Sequence, residues 1–258
     1  MLTVFKNILK IHREEDYMVN KAQRDMGSHN YSIVKVNPTN KILTIIACHC
    51  DTVLKYKTIV NNIKYLHFKN NDIIVINSKN EKYSDALRGF LEKRVYGYLE
   101  IENNSHLDIG KWCHVLSLID ISKYSNVVFT NDSFIITSPI THFFNKMIKC
   151  DVELYGYNDS TQQCYHYQSY LFGIKESSVY KLQNLYSNKK HLLTNYEAVV
   201  NNIELNLVKI FKTMDCFLQI AYIENEKGKN IFFNNDQLYK KLLYTKVLPF
   251  IKIKRLLQ

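Results

Sequence analysis

Residues 126–137, NVVFTNDSFIIT, combine a strand-like apolar run with a polar triplet. Val127, Val128 and Phe129 are residues that favour a buried β-strand. Asn131, Asp132 and Ser133 interrupt the run before the apolar pattern resumes. Burying an unpaired carboxylate costs several kcal/mol, so the triplet predicts that Asp132 meets a cap, a metal or a ligand phosphate.

Outward from this stretch, the N-terminal half alternates strand-like and helix-like segments. The predicted strands are residues 41–49, 72–78, 96–103 and 126–132, and the predicted helices are residues 52–67, 81–94 and 108–124. This alternation predicts one α/β domain, in which right-handed crossovers give a mostly parallel sheet with helices on both faces. We assign residues 1–40 to an N-terminal extension and residues 41–258 to the domain.

The second half of the chain is less regular. Residues 138–150 predict a short helix and residues 151–159 a strand that runs into a loop. Residues 160–175 fit either a helix or a strand, whereas residues 195–214 show helical spacing of their apolar side chains.

Polar residues follow each predicted strand of the first half. Because ligands bind beyond the carboxyl ends of parallel strands, we expect these side chains to converge at one edge of the sheet. They are His49, Asp51, Asn77, Ser78, Asn104 and the triplet at residues 131–133.

Composition restricts the class of partner. The chain has 258 residues and a formal net charge of +10, which suits anionic partners. Nucleic acid is not a predicted partner, because the chain has neither a recognition motif nor a long basic run. Six cysteines without a C-x-x-C pair predict free thiols in a reducing compartment. We expect a cytoplasmic protein, with peripheral association with a membrane as an option.

Several segments, in order, resemble the rhamnan synthesis protein F family, glycosyltransferases of bacterial surface polysaccharides with relatives in some large viruses. These segments are NSHLDIGKW (104–112), NVVFTNDSFIITSPITHFF (126–144), DVELYGYNDS (151–160), YHYQSYLFGIK (165–175) and YTKVLPFIKIKRLL (244–257). The resemblance covers residues 42–257. One departure is His106, which stands where the family usually has a glycine.

The resemblance implies a GT-A-like glycosyltransferase that moves a sugar from a nucleotide-diphosphate donor to a hydroxyl group of a glycan acceptor. Rhamnose or another deoxyhexose is the implied sugar, polysaccharide or glycan synthesis the implied process, and inversion the implied stereochemistry. Two alternatives stay open: a retaining GT-A transferase with a different sugar, and a catalytically inactive nucleotide-sugar-binding domain. The second alternative follows from the single carboxylate in Asn131-Asp132-Ser133, where GT-A enzymes usually carry Asp-x-Asp.

That motif also raises the question of a metal. The resemblance implies that Asp132 holds Mn²⁺ or Mg²⁺ against the diphosphate, with His166 as a candidate second ligand. Alternatively, Asp132 hydrogen-bonds the sugar or ribose while lysines neutralise the diphosphate.

The remaining site residues divide by predicted role. The donor or nucleotide is assigned to His49, Asp51, Ser78, Asp108, Lys111, Asn131, Asp132 and Ser133. The acceptor or sugar is assigned to Tyr155, Gly156, His166, Gln168 and Ser169. Asp159 is the predicted catalytic base, acting with Asp132.

Several of these residues also have purely structural interpretations. Asp108 and Asp51 stand where a helix N-cap is expected, and Asp159 begins a sequence that resembles a capping box. A lone histidine such as His166 is more often a satisfied structural residue than a ligand.

Overall fold

The computed structural model describes residues 42–68, 70–102, 106–220 and 236–253. The predicted extension at residues 1–40 and the predicted site residue Asn104 lie outside these ranges. The strands are β1 (Ile42–Cys48), β2 (Asn71–Ser78), β3 (Gly97–Ile101), β4 (Asn126–Asn131), β5 (Phe134–Ile136), β6 (Leu154–Ser160), β7 (His166–Tyr167), β8 (Leu171–Lys175), β9 (Met214–Leu218) and β10 (Phe250–Lys252).

The described α-helices lie between these strands and after them. They are α1 (Val53–Leu66), α2 (Ser84–Leu91), α3 (Leu107–Leu118), α4 (Thr141–Lys149), α5 (Val179–Lys189), α6 (Tyr196–Asn202), α7 (Leu207–Ile210) and α8 (Asp236–Tyr244). Three short 3₁₀ turns occupy Glu176–Ser178, Lys190–Leu192 and Glu204–Asn206.

The central sheet has the strand order β3-β2-β1-β4-β8-β6-β7, and β9 pairs with β6. The first four strands are parallel, whereas β8 runs antiparallel to both β4 and β6. In the register, Ala47 of β1 lies beside Asn131 of β4, and Cys48 lies beside Asn77 of β2. The carboxyl ends of three neighbouring strands are therefore level, which creates the edge where polar side chains meet.

Both faces of the sheet are covered. Alternate residues of β1 enter two separate cores: Ile42 and Ile46 pack with α1, α2 and α4, and Leu43 and Ile45 pack with α3 and α5. All seven residues of β1 are buried, which explains why its sequence is continuously apolar rather than alternating. The predicted α/β class, with a largely parallel central sheet and helices on both faces, is confirmed.

In the second half, the structure decides one open choice and departs from one prediction. Residues 160–175 form the antiparallel strands β7 and β8, one of the two options that the sequence left open. The single helix predicted for residues 195–214 is wrong, because the chain breaks there into α6, a 3₁₀ turn and α7. The amide of Asn206 donates to the carbonyl of Asn201 at 2.7 Å, and this side-chain bond competes with the helical hydrogen bonds.

The end of the described chain returns to the polar edge. Strand β10 pairs antiparallel with β5, which puts Lys252 opposite Phe134. The backbone N–H of Ile253 then donates to the carbonyl of Ser133 at 3.0 Å. This pairing holds the Pro-Phe-Ile-Lys segment against the turn that follows β4.

All six cysteines lie within the described ranges and carry free thiols. Among the helices of those ranges, none is both long enough and apolar enough to span a lipid bilayer.

Gly156 of β6 gives a test of the packing. A methyl group there would lie 2.7 Å from Cγ of Tyr167, at the rigid root of the ring, so Gly156→Ala must displace the ring or the strand. We expect a loss of about 1–3 kcal/mol in the free energy of unfolding, measured by urea denaturation. Gly97→Ala is the matched control, because its nearest neighbour would be Ile74 at an ordinary 3.5 Å. Equal stabilities of the two variants would contradict the packing of Tyr167 over β6.

Candidate functional site

A cavity of about 470 Å³ opens at the carboxyl end of β4. Its walls come from the start of α3, the turn after β4, the residues around β7, and the α6 segment with the following 3₁₀ turn. The predicted site residues that line it are Asp108, Asn131, Ser133, His166, Gln168 and Ser169. Six predicted side chains from three parts of the chain thus meet at one place.

The polar turn after β4 divides its side chains between two directions. The amide of Asn131 donates to Oδ2 of Asp108 at 2.8 Å, and its Oδ1 accepts the backbone N–H of Ser133 at 3.1 Å and the Ser133 hydroxyl at 2.7 Å. Asp132, between them, does not line the cavity. Its Oδ2 accepts the backbone N–H of His49 at 2.8 Å, at the end of β1.

Asp132 is therefore a structural link between β4 and β1. It is 7% exposed, and its burial raises the pKa of its carboxyl, an effect that nearby Lys55 opposes. The ammonium of Lys55 lies 3.8 Å from Oδ2 of Asp132 and donates to the carbonyl of His49 at 3.0 Å. The buried carboxylate of Asp132 thus has two partners, the backbone N–H of His49 and the ammonium of Lys55.

Asp108 is the carboxylate that faces the cavity. The predicted N-cap role is wrong, because α3 begins at Leu107 and His106 occupies the N-cap position. Burial raises the pKa of Asp108 to about 6, although Lys111 acts in the opposite direction. A carboxyl with a pKa near 6 is ionised at neutral pH and is still basic enough to accept a proton in a reaction.

Lys111 was predicted to reach a donor phosphate, and its position contradicts this. The side chain is 1% exposed and its ammonium donates to the carbonyl of Cys48, inside the fold. Burial lowers its pKa, while Asp108 acts to raise it. The lysine that does line the cavity is Lys252, from β10.

The other residues assigned to the nucleotide lie on the far side of the polar turn. Nε2 of His49 is 3.6 Å from Oδ2 of Asp51, and both side chains are partly exposed. Ser78 is buried at the end of β2, and the adjacent Asn77 accepts the backbone N–H of Cys50 at 3.0 Å. His49 contacts Asp132 through its backbone N–H, and none of these residues lines the cavity, so the predicted site spans two sides of one turn.

The residues assigned to the acceptor divide in the same way. Tyr155 and Gly156 do not line the cavity, because β6 turns Tyr155 into the core against Phe143 and packs Gly156 beneath Tyr167. His166 and Gln168 do line it, and they hold one another. Nδ1 of His166 lies 2.8 Å from the carbonyl of Cys164 and must donate there, so Nε2 is free to accept from Nε2 of Gln168 at 3.2 Å.

Asp159 was predicted to lie on a loop near the acceptor, and the loop position is wrong. Strand β6 continues through Ser160, and the Cα atom of Asp159 pairs with that of Tyr167. Its Oδ1 accepts the backbone N–H of Ile220 at 2.6 Å. Asp159 is buried and is not among the residues that line the cavity, which gives its predicted role as a base no support.

The predicted metal ligands, Asp132 and His166, already have partners within the fold. Asp132 is engaged by His49 and Lys55, and both ring nitrogens of His166 have hydrogen-bond partners. Within the described ranges, no three His, Cys, Asp or Glu side chains are grouped so that they could hold an ion by themselves. Mg²⁺ is commonly bound by one or two carboxylates together with substrate phosphates, so a metal ion that binds with the donor stays a prediction.

Among the residues of the cavity that were not assigned to the site from the sequence, four matter most for its chemistry. They are Trp112, Tyr196, Glu204 and Lys252. Trp112 and Lys252 belong to segments that carry the family resemblance, so their positions in those segments could have identified them as site residues. Tyr196 and Glu204 lie in no such segment, and nothing in their local sequence distinguishes them.

No family model matches the sequence, so the resemblance to the rhamnan synthesis protein F family stays a prediction. Among curated proteins, the chain is 29% identical over 174 residues to virulence protein VirA of Vibrio anguillarum. The match covers 64% of this chain and 55% of VirA. The chain thus spans about half the length of this relative.

Similar solved structures include glycosyltransferases and a nucleotidyltransferase. The glycosyltransferase GlyE of Streptococcus pneumoniae has 12% identity and a TM-score of 0.47, and covers 82% of this chain and 52% of its own. TarS of S. aureus in complex with UDP has 8% identity and a TM-score of 0.47, and the match covers 68% of this chain and 57% of TarS. The 4-diphosphocytidyl-2C-methyl-D-erythritol synthase of Anaerococcus prevotii has 11% identity and a TM-score of 0.46, and the match covers 80% of this chain and 96% of the synthase. At this level of likeness no activity follows for this chain.

The link made by Asp132 gives a test of the site's framework. Asp132→Ala removes the acceptor of the His49 N–H and the charge beside Lys55, so we expect a loss of about 1–3 kcal/mol in the free energy of unfolding. Asp132→Asn keeps an oxygen acceptor and is expected to lose less. Urea denaturation of both variants measures the difference, and an unchanged Asp132→Ala stability would contradict the link.

Asp108 predicts a pH dependence of stability. Its pKa is about 6 in the folded chain and about 3.9 in an unfolded one. Between these values the folded state binds more protons, so stability falls as pH rises from about 4 to 6. Relative to Asp108→Asn, the wild-type chain should lose free energy of unfolding over this range in urea titrations.

Asp151 is the matched control for that titration. A hydrogen bond from Lys175 lowers the pKa of this exposed carboxyl, so its linkage to stability has the opposite sign. If Asp108→Asn and Asp151→Asn changed the pH profile in the same direction, the assignment of a raised pKa to Asp108 would be wrong.

Proposed function

We propose that this chain transfers a sugar from a nucleotide-diphosphate donor to a hydroxyl group of a glycan acceptor, with inversion at the anomeric carbon. The observation that carries the proposal is that a carboxylate, Asp108, and an ammonium group, Lys252, line the same cavity at the carboxyl end of β4. Transfer of an activated sugar needs both, a base for the incoming hydroxyl group and a cation for the departing diphosphate.

The base in this proposal is Asp108 rather than Asp159. As the acceptor oxygen attacks the anomeric carbon, its proton passes to the carboxylate of Asp108. The bond from the anomeric carbon to the diphosphate breaks, and the diphosphate departs with the electron pair. The amide of Asn131 donates to Oδ2 of Asp108 and orients the carboxylate for this step.

Lys252 provides the positive charge that a departing diphosphate requires. Its strand is paired with β5, and the neighbouring N–H of Ile253 bonds to Ser133, so the side chain is held beside the turn at residues 131–133. The proposal assigns the charge of the diphosphate to Lys252, and no step of it passes through a metal ion.

The donor would cross the polar turn. The residues predicted to bind its nucleoside, His49 and Asp51, adjoin Asp132 on the β1 side, and the cavity begins at Asn131 and Ser133 on the other. The diphosphate would then lie over the turn, with the sugar in the cavity. Rhamnose or another deoxyhexose is the sugar that we propose, on the strength of the sequence resemblance.

A second candidate is a nucleotide-sugar-binding domain without turnover. It is favoured by the polar turn, where the sole carboxylate belongs to Asp132 and is engaged by His49 and Lys55. Binding is common to both candidates, so transfer itself must separate them. A cytoplasmic location stays a prediction from the six cysteines, and association with a membrane surface stays a prediction from the net charge of +10.

Thermal shift with UDP, TDP, GDP and CDP tests donor binding. We expect one nucleotide class to raise the melting temperature of the wild-type chain, since a ligand that binds the folded state stabilises it. Lys252→Ala should lose most of this shift, because it removes the charge beside the diphosphate. Lys175→Ala is the control, since that lysine is exposed and pairs with Asp151 at 2.5 Å. Absence of any shift with all four nucleotides would overturn the proposal.

Turnover is tested through Asp108→Asn. With the matching nucleotide sugar, release of the nucleoside diphosphate should fall about 100-fold or more, which is typical for loss of a general base. Binding of the nucleoside diphosphate should persist in this variant. A wild-type chain that binds the donor and releases no nucleoside diphosphate, with or without a glycan mixture, would favour the binding domain.

A further inference from the structure

Tyr196 is exposed and yet forms part of the cavity. It is 70% exposed, among the most open of the large side chains in the described ranges, and it lines the cavity wall opposite Asp108 and Asn131. Most of the ring is open to solvent, but its hydroxyl has a raised pKa, first through burial and then through Glu204 and Asp108. Tyr196, Glu204 and Asp108 all line this cavity.

The backbone of Tyr196 is fixed by the start of its helix. Asn195 adopts an extended conformation before α6, and its Oδ1 accepts the backbone N–H of Ala198 at 2.9 Å. Tyr196 follows directly as the first residue of that helix. The cap thus fixes the backbone position from which the aromatic side chain extends.

Glu204 supplies the polar part of the same wall. It opens the 3₁₀ turn after α6, and its Oε1 lies 3.4 Å from the backbone N–H of Ser169. This long contact leaves its carboxylate with free acceptor capacity toward the cavity. Val199 and Ile203 lie between Tyr196 and Glu204 and make the intervening surface apolar.

We propose that Tyr196 and Glu204 form the subsite for the acceptor, a terminal pyranose ring of a glycan. A pyranose has an apolar C–H face and a hydroxyl edge, and this wall offers an aromatic face beside a carboxylate. The subsite rests on the proposed function, since it is defined as the place of the sugar that receives the transferred group.

The position of Asp108 favours an acceptor sugar over a nucleobase. The proposed base must take a proton from the acceptor, so the acceptor hydroxyl has to lie beside Asp108. Tyr196 and Asp108 line the same cavity. A nucleobase on Tyr196 would instead separate the nucleoside from His49 and Asp51, across the turn that bears the diphosphate.

The single tryptophan of the chain provides a direct signal. Trp112 lines the cavity, and its Nε1 donates to the carbonyl of Thr130 at 3.1 Å, so its fluorescence reports on occupancy. The methyl glycosides of rhamnose, glucose and galactose are titrated into the chain saturated with the nucleoside diphosphate that it binds. We expect at least one of them to give a saturable change with the wild-type chain.

Four variants assign that change to the subsite. Tyr196→Ala should weaken sugar binding about five- to tenfold, whereas Tyr196→Phe keeps the aromatic face and should stay within about twofold. Glu204→Gln should also weaken it, through loss of charge-assisted hydrogen bonds. Tyr180→Ala should leave it unchanged, because that tyrosine is 54% exposed on α5 and does not line the cavity. The nucleotide thermal shift should be the same in all four.

Each other result has a definite meaning. If Tyr196→Ala abolishes the nucleotide shift and leaves sugar binding intact, Tyr196 stacks on the nucleobase and the acceptor subsite is disproved, while the proposed function stands. If no variant alters sugar binding, or if no glycoside changes the wild-type signal, the subsite is also disproved. A wild-type chain that responds to no nucleotide disproves the proposed function itself.

Discussion

The backbone that leaves β1 is held by side chains from four places: α1, α3, β2 and the turn after β4. Lys111 of α3 donates to the carbonyl of Cys48, and Lys55 of α1 donates to the carbonyl of His49. Asp132 accepts the N–H of His49, and Asn77 of β2 accepts the N–H of Cys50. Beyond the last strand residue these backbone groups have no ladder partner, and leaving them unpaired in a buried place would be costly. The level edge on which the cavity is built depends on this set of bonds.

The three residues at the end of β4 serve different parts of the site. Asn131 and Ser133 line the cavity, whereas Asp132 between them accepts the N–H of His49 at the end of β1. The amide of Asn131 also donates to Asp108 and so fixes that carboxylate at the cavity. The position of Asp108 therefore depends on the same turn in which Asp132 links β4 to β1.

The parallel half of the fold was predictable from the sequence, and the division of the site was not. Continuous apolar runs identify strands buried on both faces, such as Ile42–Cys48, and helical spacing identifies Val53–Leu66. Such patterns reveal which polar residues end a strand, but not which side of the turn each one faces. Both Asp132 and Asp108 were therefore assigned to the donor, although Asp132 is a structural link to β1 and only Asp108 of the two lines the cavity. The helical spacing of residues 195–214 did not reveal the break between α6 and α7. Apolar periodicity carries no information about an asparagine side chain, such as that of Asn206, which bonds to the backbone.

The cavity joins two parts of the fold that differ in regularity. Its polar wall comes from the level ends of the parallel strands, where Asp108 and Asn131 are fixed by mutual hydrogen bonds. Its opposite wall comes from short helices and turns, which tolerate sequence change more readily than a paired strand. Lys252 belongs with the first wall, because the pairing of β10 with β5 sets it beside the turn. Chemistry common to many substrates would thus reside in the rigid part, and the choice of acceptor in the part where substitution disturbs the reacting groups least.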